Sequence, residues 1–581
     1  MKTVFLFSFL FLSLSLSAQN SSLELETIFQ EIDTYNRSIS PQDSLWRKQH
    51  LQGSFSTIDK VHFENVKGAY ETFKSRLNSI SEKDVSRQEF ISRELMLYKL
   101  DNTLADIEFK MYLIPMNAEG GYYGEIRNAL SGLPLNTKED YEAYLNWLPS
   151  YEDWMDDHLE LMKEGVALGI VAPRTVIENN IELLEPWLPN TIEESIFYKP
   201  IQSMPSVLSE KEASDIRKHA KKIISKEITP AYEELDEFLK QDYLKSAPEK
   251  PGILFLPNGK SYYENRVSYY TTLDVSPDSV YVVGLEEVER IKVLMKQIIE
   301  ELEFDGTFEE FYTFLRSDQQ FYPKTPQELL NRAAWLSKKA EGQLPQLFSK
   351  LYSNPFTVTK VPAEIAPTYT AGRYSGGSLK DGRAGEYWVN TYKLESRTLY
   401  TLPALTLHEA VPGHHLQGAL AQEIEGIPDF RKHFYTSAFG EGWGLYSEYL
   451  GEEMGMYTTP YEQFGRYTYE MWRACRLVVD VGIHYKGWTR EEALEYLQSN
   501  TALSIHEVTT EIDRYIGWPG QAVSYKIGEL KIKALRADAE KRLGEDFDIR
   551  EFHYHLLKNG AVTLPILEQE IESYILAELE D

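Results

Sequence analysis

The sequence predicts a large, mainly α-helical protein with a small β element in its second half. Three observations carry that expectation. Apolar residues recur at helical spacing over long stretches, strand-like runs are few and short, and neither an internal repeat nor a low-complexity linker interrupts the 581 residues. From the N-terminus, Met1-Lys2-Thr3 is short and positive, and Val4 to Leu16 is apolar apart from serines. Ser15-Leu16-Ser17-Ala18 offers small residues for cleavage. The apolar run is shorter than the roughly 20 residues of a spanning helix, so residues 1–18 are read as a signal peptide. Thr137, with Asp140 three residues on, predicts a helix start before Tyr141 to Trp147. Ile216, Ala220, Ile223, Ile224 and Ile228 mark one helix face; Leu285, Val288, Ile291, Leu294, Met295, Ile298, Ile299 and Leu302 mark another. Short β-type runs are expected at Gly252–Leu256, Ser279–Val283 and Glu386–Asn390, the last among Gly372, Gly376, Gly377, Gly382 and Gly385. The Pro/Lys-rich stretch Ser246–Pro251 divides an N-terminal helical half, 19–250, from a C-terminal half, 251–581.

Charge and cysteine content narrow the class of partner. The formal net charge is −30, which argues against binding to nucleic acid and to anionic membrane surfaces. No later stretch is apolar enough for stable membrane insertion, so the mature protein is expected to be exported, either periplasmic or secreted. Cys475 is the single cysteine: it excludes an intrachain disulfide, and a lipid-anchored cysteine after the leader is missing. A chain this long can bury an adequate core without disulfides. The sequence carries no signal for an oligomeric state.

Three of the twelve histidines fall within eight residues, His408-Glu409-Ala410-Val411-Pro412-Gly413-His414-His415. A His-Glu pair followed by histidine is the pattern of a zinc-peptidase helix, in which two histidines bind the ion and the glutamate acts as general base. The usual four-residue spacing puts both imidazoles on one helix face. Here His414 comes six residues after His408, about 120° off its face in a straight helix, and His415 lies roughly 10 Å further along the axis. Pro412 lacks the N–H that would bond to the carbonyl of His408, so a bulge or kink at Pro412-Gly413 can bring one histidine back. His414 is the preferred second ligand and His415 the alternative, the other lining the site. Glu441, between Gly440 and Gly442, is the candidate third ligand, with Glu448 two turns on along nearly the same face.

The stretch Glu441-Gly-Trp-Gly-Leu-Tyr446 resembles the third-ligand segment of the aminopeptidase N type of gluzincin. Gly413-His414 looks like the expanded zinc helix of the dipeptidyl-peptidase III type, with one further residue inserted. The chain is most similar to the bacterial family of domain of unknown function 885, through His408–Gln417 and Glu441–Glu448. Weaker likenesses run through Met162–Arg174, Tyr270–Ser276, Arg383–Asn390, Arg476–His484 and Arg514–Tyr525. The resemblance implies a multi-helical metallohydrolase, most simply a peptidase acting on a peptide substrate.

A hydrolytic transition state needs an oxyanion donor besides the metal, and Tyr525, Tyr515 and His484 are candidates. His484 can share a helix face with Arg476 and Asp480, either as part of a site or as a structural network. Arg514 can meet a substrate carboxylate, or pair with Glu511 or Asp513. The Ala371–Gly377 loop is a candidate backbone clamp. In gluzincins a strand ahead of the zinc helix binds extended peptide, which nominates Glu386–Asn390, with Trp388 and Asn390, for strand addition. The expected chemistry is thus Zn2+ on His408, His414 and Glu441, with Glu409 as base. The same machinery could serve a non-peptide amide or ester, or a non-catalytic site binding metal or peptide, although a structural site has no use for Glu409.

Overall fold

The computed structural model describes residues 2–39, 55–131, 133, 135–363 and 365–580. Met1 and the side chains of 2–19, where the leader is expected, lie outside the described residues. The protein is mainly α-helical with small sheets. Among the described residues, no helix is long and apolar enough to cross a membrane. The chain divides into two compact units, Met1–Pro251 with Phe255–Asn258, and Gly252–Leu254 with Gly259–Asp581.

The first unit is built from helices that include Lys60–Ser79, Arg87–Glu108, Lys138–Leu168 and Glu210–Ile223. Thr137 and Asp140 form a capping box that starts the third of these, satisfying backbone groups the first turn leaves unpaired. A five-residue π turn, Ile224–Ile228, follows the fourth, so the apolar stripe from Ile216 to Ile228 stays buried across a change of helical pitch. The core is rich in aromatic side chains with satisfied polar tips: the Tyr151 and Tyr232 hydroxyls both donate to the Tyr123 carbonyl.

The second unit carries the histidine cluster. Its framework is α1 (Pro277–Glu301), α2 (Leu402–Glu409), α3 (His414–Gln422), α4 (Ser437–Glu453), α5 (Pro460–His484), α6 (Ile505–Gly517) and α7 (Ser524–Leu543). Two expected strands are helical here. Ile253–Phe255 is a 3₁₀ turn, and Ser279–Val283 lies in the first turns of α1. Ser276 caps α1 through the Ser279 N–H, Pro277 suits its first turn, and the long apolar stripe behind them overrides the β preference of the valines. Glycines permit the closest helix crossings. A Cβ on Gly284 of α1 would meet Leu477 and Val478 of α5 at 2.7–2.9 Å, and one on Gly442 of α4 would meet Gly528 of α7 at 2.5 Å.

Beneath this packing, the Lys526 ammonium is fully buried between Glu470 (2.9 Å), Glu529 (2.5 Å) and Glu287 (2.9 Å). Arg290 and Arg466 add further charge to Glu470. The network ties α1, α5 and α7 together.

The sheet of this unit has strands β1 (Phe356–Lys360), β2 (Gly372–Ser375) and β3 (Gly385–Val389), in the order β1-β3-β2. β3 pairs in parallel with β1 and antiparallel with β2. Both edges of β3 are therefore occupied, and the strand addition expected at Glu386–Asn390 has no free backbone edge to use. The sheet lies against α2: a Cβ on Gly372 would stand 3.3 Å from Leu405, and the Tyr387 hydroxyl is 3.4 Å from that of Thr406.

Candidate metal centre

His408 and Glu409 end α2. The chain then turns through Ala410 (φ −92°, ψ −107°) and restarts as α3 at His414. Two helices thus replace the single helix of the usual motif. The turn is closed by the Gly413 N–H to the Leu407 carbonyl (3.0 Å) and the His415 N–H to the Ala410 carbonyl (3.1 Å). A Cβ on Gly413 would fall on the His408 carbonyl oxygen, so only glycine allows this approach. From α4, the Trp443 indole N–H holds the Pro412 carbonyl at 2.8 Å.

The break brings the His408 and His414 rings to a centroid distance of 4.8 Å at 86°. One donor atom each from His408, His414 and Glu441 lie within 4.8 Å of one another. Glu441 Oε2 is 3.3 Å from His408 Nε2 and 3.4 Å from His414 Nε2. The other nitrogen of His408, Nδ1, meets Glu448 Oε1 at 2.7 Å. That bond fixes the ring and leaves Nε2 for the shared centre. Burial alone would lower the His408 pKa, but hydrogen bonds to Glu441 and Glu448, with Glu409 nearby, push it up to about 10. Burial likewise opposes ionisation of Glu441, yet His414 and His408 hold its carboxyl well below the usual range. Carboxylates that favour a proton on His408 also favour a metal cation among these three side chains.

Glu409 is buried and is not one of the three converging donors. Its Oε2 accepts the Tyr374 N–H of β2 at 2.7 Å, which anchors the carboxylate beside the cluster. His415 faces away, into a box of Tyr352, Phe356 and Tyr374, with Nδ1 3.1 Å from the Tyr374 hydroxyl. Burial lowers its pKa to about 4.

The sequence profile described as "Bacterial protein of unknown function (DUF885)" matches residues 49–571. The chain belongs to the DUF885 family. Two solved structures share the fold of this DUF885 chain. One, of a candidate lipoprotein from Colwellia psychrerythraea, is 25% identical, with a TM-score of 0.85 over 97% of this chain and 99% of that one. The other, of a candidate lipoprotein of unknown function from Shewanella oneidensis, is 17% identical, with a TM-score of 0.75 over 94% and 99%. No curated protein matches the chain.

The remaining residues nominated in the DUF885 chain have other surroundings. His484 is fully buried; its Nδ1 accepts the Ile253 N–H (3.2 Å) and its Nε2 donates to the Tyr515 carbonyl (2.9 Å). Both ring nitrogens are committed to backbone, which removes His484 from the catalytic candidates. The Tyr515 hydroxyl accepts from Trp472 Nε1 and Arg476 Nε, both at 2.8 Å, and bonds to Glu511. It is therefore not free to meet a substrate. Arg514 bonds Gln521 at 2.8 Å and lies 3.5 Å from Glu511, an internal pairing rather than a substrate contact. Asn390 donates to the carbonyls of Ala366, Tyr369 and Thr370 and accepts from Tyr392, so it shapes a loop. Trp388 on β3 is half-buried, its indole N–H on Glu386 at 2.6 Å. Tyr525, on α7, packs its ring against the Arg476 guanidinium at 4.1 Å and stands within electrostatic reach of Tyr435.

Two contributors escaped the sequence reading. Tyr435 donates its hydroxyl to Glu441 Oε1 at 2.6 Å, fixing the oxygen that faces away from the histidines. Its ring lies on Gly440, where any Cβ would collide, so the glycine before Glu441 was the available signal. Tyr374 holds Glu409 through its backbone N–H, which no side-chain pattern reveals; only the glycine-flanked Ala371–Gly377 loop hinted at it.

Proposed function

We propose that this protein is an exported zinc-dependent metallopeptidase that hydrolyses peptide bonds. One observation carries the reading: His408, His414 and Glu441 converge on a common centre, with the non-ligand Glu409 next to the first histidine. Two imidazoles and one carboxylate, with a carboxylate behind His408, are the donor set of an open catalytic zinc site. Zinc held by these residues would lower the pKa of a bound water toward about 7 and polarise the scissile carbonyl. Glu409 takes the proton of the attacking water and delivers it to the leaving amine. Tyr374 orients Glu409, Glu448 orients His408, and Tyr435 orients Glu441. Tyr525 is the candidate donor to the developing oxyanion. β2 is an edge strand whose Tyr374 N–H faces Glu409, so an extended peptide pairing along β2 lies beside the base.

Export is supported by the apolar leader and by the description of two structural relatives as candidate lipoproteins. Lipid anchoring is not carried across, because the single cysteine, Cys475, is buried in α5. The expected location is periplasmic or secreted, with a mature N-terminus at Gln19.

The test pairs metal analysis of the purified protein with mass spectrometry of a peptide library before and after incubation. Near-stoichiometric zinc and new peptide termini, both lost on chelation, are expected. Stoichiometric zinc without cleavage of any peptide, ester or amide would overturn the enzymatic reading.

A further inference from the structure

A cavity with mixed apolar and polar walls lies in the same unit, at the opposite end of α2 from His408. Ser396, Arg397, Thr401, Leu402, Leu405 and Glu507 are among its lining residues. It offers ≈ 30 Å³ to water-sized species. A single water needs about 10–15 Å³, so the space admits an ion or a group of a few atoms.

Arg397 is only 5% exposed. Its Nε donates to the Tyr392 carbonyl at 3.1 Å, while neither terminal nitrogen has a hydrogen-bond partner. Glu507 Oε1, 3.6 Å from Nη1, forms a long ion pair that offsets the guanidinium charge but does not satisfy its terminal donors by hydrogen bonding. Glu507 is also engaged elsewhere, its Oε2 closing the capping box of α6 with the Ser504 N–H (3.2 Å) and hydroxyl (2.9 Å). Burial raises its carboxyl above the usual range, against the opposing pull of Arg397 and of the Ser504 hydrogen bonds. A guanidinium this deep, with two unused donor groups, is costly unless something accepts from it. The first turn of α2 adds to the positive potential. Pro403 has no N–H, but those of Leu402 and Ala404 have no partner within the helix, and the Thr401 side chain does not cap them, its hydroxyl going instead to the Thr398 carbonyl at 3.1 Å. Arg316, behind Leu503 of the cavity wall, places its donors on the carbonyls of Leu503, Thr501 and Gln498, leaving its charge in the same neighbourhood.

We propose that this cavity binds a small monovalent anion, a halide or a formate-sized carboxylate, between the Arg397 guanidinium and the first turn of α2. The anion satisfies the terminal donors of Arg397 and fastens the start of the helix whose end carries His408 and Glu409. The site stands apart from the metal cluster and does not depend on the peptidase reading.

Two measurements on the full-length protein test it. In the first, thermal midpoints are followed as sodium bromide or sodium formate replaces sodium gluconate at fixed ionic strength. A saturable rise of about 2–4 °C is expected for wild type and none for Arg397→Gln. A response to bromide alone identifies a halide site, and a response to both admits small carboxylates. In the second, wild-type crystals grown in bromide are examined at the bromine absorption edge, which decides the matter even if Arg397→Gln does not fold. An anomalous peak beside Arg397 is expected. A map without that peak, or an equal rise in Arg397→Gln, would overturn the proposal.

Discussion

Gly444→Ala is the sharpest test of the geometry, because it adds one methyl group and removes no functional atom. A Cβ at position 444 would stand 2.5 Å from Cε1, 2.6 Å from Nε2 and 2.9 Å from Nδ1 of His408. Real Cβ atoms essentially never approach that closely, so the imidazole or α4 must shift by several tenths of an ångström. The ring has little freedom to do so: Nδ1 is bound to Glu448, and α2 is buried along its whole length. Overpacking of this kind typically costs about 1–3 kcal/mol, which a protein of this size survives folded. Displacing a ligand from its orienting partner typically lowers metal affinity about 10–100-fold. Zinc affinity is measured by competition against a chromogenic chelator, alongside the thermal midpoint of the metal-free protein. A folded Gly444→Ala that binds zinc as tightly as wild type would refute the proposed arrangement of His408 against α4.

The other predictions separate ligand, base and scaffold. Glu409→Gln keeps an oxygen for the Tyr374 N–H and touches none of the three converging donors. Peptide hydrolysis should fall by about 10²–10⁴-fold in initial-rate assays with zinc content unchanged, and loss of zinc instead would make Glu409 structural. Glu441→Ala should nearly abolish zinc binding, whereas Glu448→Ala should weaken it only about 10–100-fold; the reverse order in calorimetric titrations would exchange their roles. Lys526→Met removes the cation shared by Glu470, Glu529 and Glu287, leaving Arg290, Arg466 and Lys533 as their remaining partners, and should cost up to about 3–5 kcal/mol in urea unfolding; a neutral result would mean the network is not ionised as drawn. His484 is neutral in the fold, burial lowering its pKa to about 4, while the unfolded chain takes up a proton near 6.5. Its contribution is therefore intact above pH 6.5 and is lost as pH falls toward 4, about 3 kcal/mol across the window. His484→Gln, which can still donate to the Tyr515 carbonyl, should flatten the acid limb of the stability profile by about one proton; an unchanged slope would show that His484 does not titrate with unfolding.

Much of the helical frame was legible because periodicity and caps agree. The stripe through Val288, Ile291, Met295, Ile298 and Ile299 is buried as expected, although Leu285 at its start is exposed, and the Thr137 cap marks an end that local physics decides. The failures have a common cause. Ser279–Val283 is β-rich as an isolated segment, but Ser276 and Pro277 start a helix that carries it along. The sequence could nominate Glu386–Asn390 as a strand, yet only the topology reveals that β3 is central and closed to a further partner. In the same way His484, Tyr515, Arg514 and Asn390 are the right chemical types for a site, and their partners are what remove them. Which nitrogen meets which carbonyl is a tertiary fact that residue identity does not encode.

The segment from Glu441 to Glu448 explains why the departure from standard histidine spacing is workable. In a straight helix, six residues would leave His414 about 120° from His408. Breaking the helix after Glu409 re-aims His414, but a broken helix needs something to hold the break. Beyond the backbone bonds of Gly413 and His415 that close the turn, one helix supplies the side chains that hold it. Positions 441, 444 and 448 recur at three and four residues, so they share a face. On that face Glu441 meets both histidines, Gly444 leaves room for the His408 ring, and Glu448 binds its far nitrogen. Between them Trp443 reaches the Pro412 carbonyl at the break, and Gly442 lets α4 press against Gly528 of α7. The spacing of the histidines and the composition of α4 are thus two halves of one constraint. A relative with the shorter four-residue spacing needs neither the Trp443 tether nor Gly413, whereas one with this spacing needs both.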